Sequence, residues 1–344
     1  MLYSFTILFL LLLFVTYVGI RLFIKNAEKF GLVDVPNHRS AHKEPVARGA
    51  GIVFGAFFLI ALTITCAFVF PELHMHYAYL ALLIVYGAGV YDDFADISSR
   101  KKFMFIIIAA VIVYYNGFRV ETLGTYFGYE FSLGYMALPF TIFAIVGFTN
   151  ALNLTDGLDG LAGSISVIIL ASLVYVGYQH SDAFLISTSL LLISVLVAFL
   201  LLNWYPAKVF MGDSGSLFLG FVIALLSIYA LKYINPTSAL FLAAIPLLDT
   251  LVVMRRRKQR KQSLFVADKN HLHHILLKFK RDKIFTVSSL LKLQVLFSLI
   301  FIQVYNKSDI VNLALFALLF SIFFNLFDPR MQYRKKPKRR EKKK

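Results

Sequence analysis

Apolar residues in this chain fall into long runs, not into alternation with polar ones. Eleven runs stand out, at about 3–24, 49–70, 77–91, 103–118, 134–152, 161–178, 183–202, 215–234, 238–254, 287–304 and 309–327. A helix needs roughly 17–25 apolar residues to cross the hydrocarbon of a bilayer. Lipid offers the backbone no hydrogen-bond partners, so such runs are expected to be helical. Extended strands of alternating polarity, the mark of a membrane β-barrel, are absent. The pattern predicts an all-α polytopic membrane protein with about 11 transmembrane helices. The run at 77–91 is short, and its end is expected deeper in the following loop. No internal repeat is evident, which argues against a transporter built from duplicated halves.

Composition agrees: 59% of the 344 residues are hydrophobic and 16% are charged, against about 25% charged in an ordinary soluble domain. Charge then orients the spans. All but five of the 35 lysines and arginines lie in one alternate set of connections, 25–48, 92–102, 153–160, 203–214, 255–286 and 328–344; the exceptions are Arg21, Arg119, Lys232, Lys292 and Lys307. Basic loops stay in the cytoplasm, which predicts an outside N-terminus and a cytoplasmic C-terminus. The net charge of +16 therefore reads as topology rather than as nucleic-acid binding. The first run has no basic flank before it and no small-residue cleavage site, so it reads as a retained span. Cys66 is the sole cysteine, which excludes an internal disulfide and a cysteine metal site. The expected organisation is one membrane-embedded domain, 1–327, and a basic tail, 328–344, drawn to anionic lipid headgroups. The glycine- and aromatic-rich outer segment 119–134 is expected to form a small hairpin.

Four polar groups stand out where spans meet the cytoplasmic side. Asp92 and Asp93 are adjacent, and their repulsion calls for a divalent metal, a shared proton or simple solvation. In residues 150–164, Asn150, Asn153, Asp156 and Asp159 recur every third position, which puts them on one helical face. Gly157, Gly160 and Gly163 would let a ligand or another backbone come close, and a polar turn with helix caps is the blander alternative. Asp213 opens the eighth run, where free N–H groups favour a phosphate or where Asp213 is a plain cap. His271, His273 and His274 lie in the long basic loop; three such neighbours do not readily close a tetrahedral zinc site, so contact with phosphate or sugar is expected, or a structural cluster. Asp249, inside the ninth run, is read as structural support or as part of the site. Together these residues suit metal-assisted chemistry on a phosphorylated substrate. No Gly-x-x-x-x-Gly-Lys-Ser/Thr loop is present, which excludes a P-loop ATPase.

The order of these motifs resembles the polyprenyl-phosphate N-acetylhexosamine-1-phosphate transferases. The resemblance covers about 30–280. It rests on Asp34-Val35-Pro36-Asn37-His38-Arg39, His42, Pro45, Arg48-Gly49-Ala50-Gly51, Asp92-Asp93, the 150–164 segment, Met211-Gly212-Asp213-Ser214-Gly215 and His271-Leu272-His273-His274. The His-x-His-His form is similar to the bacterial undecaprenyl-phosphate N-acetylglucosamine-1-phosphate transferase branch. One departure is Gly49-Ala50-Gly51, where many relatives carry paired glycines. The resemblance implies that a UDP-N-acetylhexosamine and undecaprenyl phosphate give a lipid-linked sugar and UMP, initiating a cell-surface glycan at the cytoplasmic face of a bacterial inner membrane. It implies Mg²⁺, with Mn²⁺ as the alternative. By matching positions it implies that Asn153 and Asp213 hold the metal, and that Asp92, Asp93, Asp156 and Asp159 are catalytic, Asp92 taking a proton from the lipid phosphate or orienting it. It further implies that Asn150, Phe210, Lys102, His271, His273 and His274 bind substrate. The sugar, the prenyl length and the choice between monomer and homodimer stay open. The rival reading is a transporter or flippase of lipid-linked sugar, and a third is a non-catalytic nucleotide-binding scaffold.

Overall fold

The computed structural model describes residues 2–36, 44–73, 75–259 and 271–326. His38 and His42 of the first motif and the basic tail lie outside them. The helices are α1 (Leu2–Asn26), α2 (Ala50–Val69), α3 (His76–Ala95), α4 (Ser99–Tyr115), α5 (Ala137–Thr155), α6 (Leu161–Gln179), α7 (Ala183–Asn203), α8 (Asp213–Tyr229), α9 (Ala239–Leu242), α10 (Ala244–Gln259), α11 (Leu272–Lys280), α12 (Lys283–Val304) and α13 (Asp309–Leu326). Five short strands, β1 (Val33–Asp34), β2 (Val46–Arg48), β3 (Thr122–Tyr126), β4 (Tyr129–Ser132) and β5 (Val209–Phe210), complete the fold.

Among the described residues nine helices are long and apolar enough to cross a membrane. Two of the eleven runs differ from that pattern. The run at 238–254 is broken, with Pro236–Leu242 and Ala244–Gln259 meeting at 91°. The run at 103–118 forms α4, which has only 17 residues. The short third run does extend into the next loop, ending at Ala95 and carrying Asp92 and Asp93 on its last turn.

α8 is the central helix, buried at every position from Ser214 to Leu226. It packs against α2, α3, α5 and α6. Between lipid-embedded helices, close packing replaces the hydrophobic effect, and small residues permit it. Here a Cβ on Gly51 of α2 would lie 2.0 Å from the Gly215 nitrogen, and one on Gly89 of α3 would lie 2.6 Å from Ser214 Cα. A Cβ on Gly220 would lie 2.8 Å from Thr149 Cα of α5. The first turn of α8 is thus clamped between the start of α2 and the end of α3. On the periphery α1 runs along α7 and α2, and Ser194 Oγ of α7 donates to the Phe9 carbonyl at 2.8 Å.

The two ends of the bundle carry different small sheets. At one end β2 pairs antiparallel with β1 and parallel with β5, setting Arg48 beside Phe210. At the other end β3 and β4 form the expected hairpin, tied to the start of α13 by Asp309 Oδ2, which accepts from Thr125 N at 2.9 Å.

Candidate active site

The site forms where the ends of α3 and α5 meet the starts of α4 and α8. Asp93 has a fully buried side chain. Its Oδ1 accepts from Asp213 N at 2.8 Å and its Oδ2 from Ser214 N at 3.1 Å. The free N–H groups of α8 were expected to take a phosphate, or Asp213 to serve as a plain cap. Instead they hold a carboxylate of the protein itself, which satisfies both the orphan donors and the helix dipole. Gly212 makes this approach possible, because at φ +74° it exposes its Cα face to Asp93, whose Oδ2 would be 2.6 Å from any Cβ there. Arg48 reaches Asp93 from the sheet side, at 3.6 Å.

Asp92 points the other way. Its Oδ1 accepts from Ile97 N at 2.9 Å, which shapes the turn into α4. Its Oδ2 lies 2.6 Å from Lys102 Nζ. The same ammonium bonds to Asp213 Oδ2. Asp92 is 1% exposed, so Lys102 stands between it and the open site. Asp213 Oδ1 also neighbours Asn153 Nδ2 at 3.4 Å, and that amide donates to Ser216 Oγ at 2.7 Å.

A cavity of about 360 Å³ opens beside this network. Asn153, Asp156, Asp159, Phe210 and Asp213 line it together with Asp34, Arg48, Asn203 and Ser216. Burial, then the neighbouring carboxylates Asp213, Asp159 and Asp93, push the Asp156 carboxyl up to about 7. The largest part of that shift is the cost of burying the charged form, and the neighbouring carboxylates add to it. Asp159 is better neutralised: its Oδ2 accepts from Ala207 N at 3.3 Å and lies 3.8 Å from Lys283 Nζ.

Among the described residues no three His, Cys, Asp or Glu form a ready-made metal cage. Mg²⁺ needs none, since it commonly takes one or two carboxylates and completes its shell with water and substrate phosphate. The carboxylate oxygens of Asp213 and Asp156 line the cavity and suit that ion; beside them the Asn153 amide turns its Nδ2 to Asp213 and Ser216, which leaves its oxygen as a further hard ligand.

The histidines sit outside the cavity, behind the turn that carries Gly157. Asp249 of α10 accepts from Leu272 N at 2.8 Å, capping α11, and its Oδ2 lies 3.1 Å from His271 Nδ1. Its role is therefore support. His271 and His273 are buried, with parallel rings 5.9 Å apart, and His274 packs on His273 at 4.2 Å. Burial, then the nearby His274, push the His273 imidazole down to about 4. The His273 ring lies on Gly157, where a Cβ would meet Nε2 at 2.4 Å. Gly160 and Gly163 likewise accommodate Trp204 and Leu200. Gly160 and Gly163 thus admit protein side chains, whereas Gly157 both packs on His273 and lines the cavity. Asn150 is half-buried on α5, and neither it nor the three histidines line the cavity.

Residues 75–231 match the family described as glycosyl transferase family 4. A Bacillus subtilis (strain 168) protein, named as a probable undecaprenyl-phosphate N-acetylglucosaminyl 1-phosphate transferase, is 33% identical over 303 residues, covering 87% of this chain and 84% of that relative. The chain belongs to glycosyl transferase family 4. Two further relatives named undecaprenyl-phosphate alpha-N-acetylglucosaminyl 1-phosphate transferase are also similar to this family 4 chain. The one from Yersinia pestis is 33% identical over 264 residues, 74% of this chain and 72% of the relative. The one from Escherichia coli (strain K12) is 30% identical over 266 residues, 74% and 71%.

In this family 4 chain, four polar residues of the cavity have no role that the sequence alone indicates. Asp34 and Arg48 stood in the first motif, but only the sheet brings them to the cavity. Ser216 lies one helical turn past Gly212. Asn203 carried no signal beyond being an amide at the end of an apolar run. Its Oδ1 accepts from Gly160 N at 2.9 Å and its Nδ2 donates to the Val209 carbonyl at 2.8 Å. One buried amide thus joins the 156–160 turn to β5, the two segments that face each other across the cavity.

Proposed function

We propose that this family 4 member transfers N-acetylglucosamine-1-phosphate from its UDP-sugar to undecaprenyl phosphate, with release of UMP. What carries the reading is the convergence of Asp156, Asp213 and Asn153 on one cavity beside the Lys102 ammonium, in a chain similar along most of its length to transferases of that name. The acceptor phosphate oxygen is already ionised and attacks the phosphorus that bears the sugar. A P–O bond to the acceptor forms, the bridging P–O bond to the uridine phosphate breaks, and UMP leaves with the electron pair. No general base is required for that attack.

Asp213, Asn153 and Asp156 would hold Mg²⁺, which when bound neutralises diphosphate oxygens and the charge of the leaving group; Mn²⁺ is the alternative. Lys102 would face the phosphates, and Asp92, behind it, would fix where the ammonium points. Asp93 would hold the first turn of α8, and with it the direction of the Asp213 side chain. Phe210 offers an aromatic wall for the uracil, and Asp159 and Arg48 would complete the polar lining. His271, His273 and His274 would act from behind the cavity, through the 156–160 turn.

The proposed topology has eleven spans in one domain, 1–327, counting α4 and the bent pair. The N-terminus would be outside, and the active site and C-terminus cytoplasmic, in a bacterial inner membrane. The tail would touch anionic lipid, and the chain acts as a monomer or homodimer. The test is UMP release by the purified protein, given undecaprenyl phosphate and a panel of UDP-sugars. We expect release with UDP-N-acetylglucosamine and Mg²⁺, abolished by chelation. Release with no acceptor lipid, or none with any UDP-sugar, would refute the reading.

A further inference from the structure

A second concavity lies on the periphery of the bundle, against the exposed end of α1. Arg21 and Lys25, one helical turn apart near the end of α1, line it with Leu22 and Ile24, and Lys208 joins them from the connection between α7 and β5. The groove measures about 430 Å³. Arg21 Nη1 donates to the Tyr17 hydroxyl at 3.3 Å, which turns the guanidinium along α1. Lys25 and Lys208 make no ion pair among the described residues. Glu28, the acid nearest in sequence, does not line the groove and makes no ion pair either.

Two ordinary causes account for part of this. A helix C-terminus favours a cation such as Lys25, and cytoplasmic ends of spans collect basic residues in general. Neither brings a third cation from a different element to the same concavity. Three like charges around one hollow repel unless an anion sits among them. The approach to the groove indicates which anion. Phe14, Val18 and Leu22 lead along α1 to the groove and are 63%, 38% and 57% exposed. A ligand there has an acyl chain on one side and an anionic group at the bilayer boundary on the other.

We propose that this groove binds an anionic phospholipid, its phosphodiester among Arg21, Lys25 and Lys208 and its acyl chain along Leu22, Val18 and Phe14. The site is separate from the catalytic cavity and holds whether or not the transferase reading does. It joins α1 to β5, because Lys208 lies two residues before Phe210. An occupied groove therefore braces the edge of the sheet that walls the active site.

Native mass spectrometry of the full chain, released from micelles supplied with phosphatidylglycerol or phosphatidylcholine, tests this directly. Wild type is expected to retain phosphatidylglycerol over phosphatidylcholine. The Arg21→Gln/Lys25→Gln/Lys208→Gln variant is expected to lose that retention by about tenfold, given the attraction that each basic residue adds near an anionic surface. A variant with the same charge change elsewhere, Lys258→Gln/Lys278→Gln/Lys280→Gln, is expected to behave as wild type. Equal retention in both triple variants would overturn the proposal. So would displacement of the lipid by millimolar inorganic phosphate, which would make the site one for free phosphate. A readout on wild-type protein guards against misfolding of the variant. Trp204 is the sole tryptophan and lies four residues before Lys208, so its fluorescence should be quenched more by brominated phosphatidylglycerol than by brominated phosphatidylcholine. Equal quenching by the two lipids would also overturn the site.

Discussion

Each end of the bundle buries carboxylates satisfied by fixed donors, as Asp93 is at the active end, but only the active end sets others beside a cavity with fewer donors. At the far end, Asp182 accepts from Leu185 N at 2.8 Å and from the Tyr233 hydroxyl at 2.8 Å, and pairs with Lys232 at 2.8 Å. Burial alone would push this carboxyl up, yet those three partners hold it below the ordinary range. Asp309 is likewise enclosed by Thr125 N and by the amide and hydroxyl of Thr237. At the active end, Asp213 shares one lysine with Asp92, and Asp156 faces other carboxylates across a cavity. A buried acid whose acceptor sites are filled by fixed donors holds structure together. A buried acid left short of donors beside a cavity is poised for a ligand that supplies positive charge.

The largest contrast should come from the same change at the two ends. Asp213→Asn and Asp92→Asn are expected to lower UMP release by about 10²-fold or more, the scale seen when one electrostatic contact in a transition state is lost. Asp182→Asn should leave turnover at a permissive temperature within threefold of wild type. If Asp182→Asn cost as much activity as Asp213→Asn, the distinction between the two ends would collapse.

Asn203→Leu tests the link across the cavity. It leaves the Gly160 N–H and the Val209 carbonyl unpaired in a buried place, at about 1–3 kcal/mol each. Turnover is expected to fall about tenfold or more, together with the thermal midpoint. A lower midpoint with unchanged turnover at permissive temperature would make Asn203 purely structural.

At the far end, Asp182→Asn should cost stability instead. Removing one partner of a buried pair is strongly destabilising, but Lys232 is 43% exposed at its side chain, so solvent screening brings the expected loss to about 1–2 kcal/mol. Because folding lowers the Asp182 pKa, its contribution is present above the unfolded value and is lost as pH falls through the folded one. Melting curves of wild type and Asp182→Asn should therefore converge below about pH 4. Curves that stay parallel there would exclude this ion pair as the source.

The smallest effect concerns His273. Folding pushes its pKa down to about 4, so between about 6.5 and 4 the unfolded chain takes a proton that the folded one refuses. Stability contributed by this residue is full above 6.5 and declines as pH falls. The thermal midpoint of wild type should drop between pH 7 and 5 by a few degrees more than that of His273→Gln. Identical slopes would mean that the imidazole is solvated and does not pack against Gly157.

The sequence by itself determined the solvent, the class of fold and the inventory of chemistry. Long apolar runs allow only helices in lipid, and a carboxylate at a span end stands out because burying it is costly. Asp92, Asp93, Asp156 and Asp213 were visible for that reason, and so were Asn153, through its three-residue spacing, and the hairpin, through its glycines. Tertiary structure alone decided how these residues divide the work. Asp92 and Asp93 are adjacent, yet one holds Lys102 and the other caps α8, because successive side chains on a helix point about 100° apart and meet different neighbours. The glycines of 157–163 suggested room for a ligand or another backbone; Gly157 lines the cavity, while Trp204 and Leu200 fill the room at Gly160 and Gly163 from segments far along the chain. Asn203 and Lys208 carry no local pattern, and Arg48 stood in a motif that gave it no role, since their roles depend on contacts across the fold. Spacing along a helix shows which residues share a face; only packing decides what that face meets.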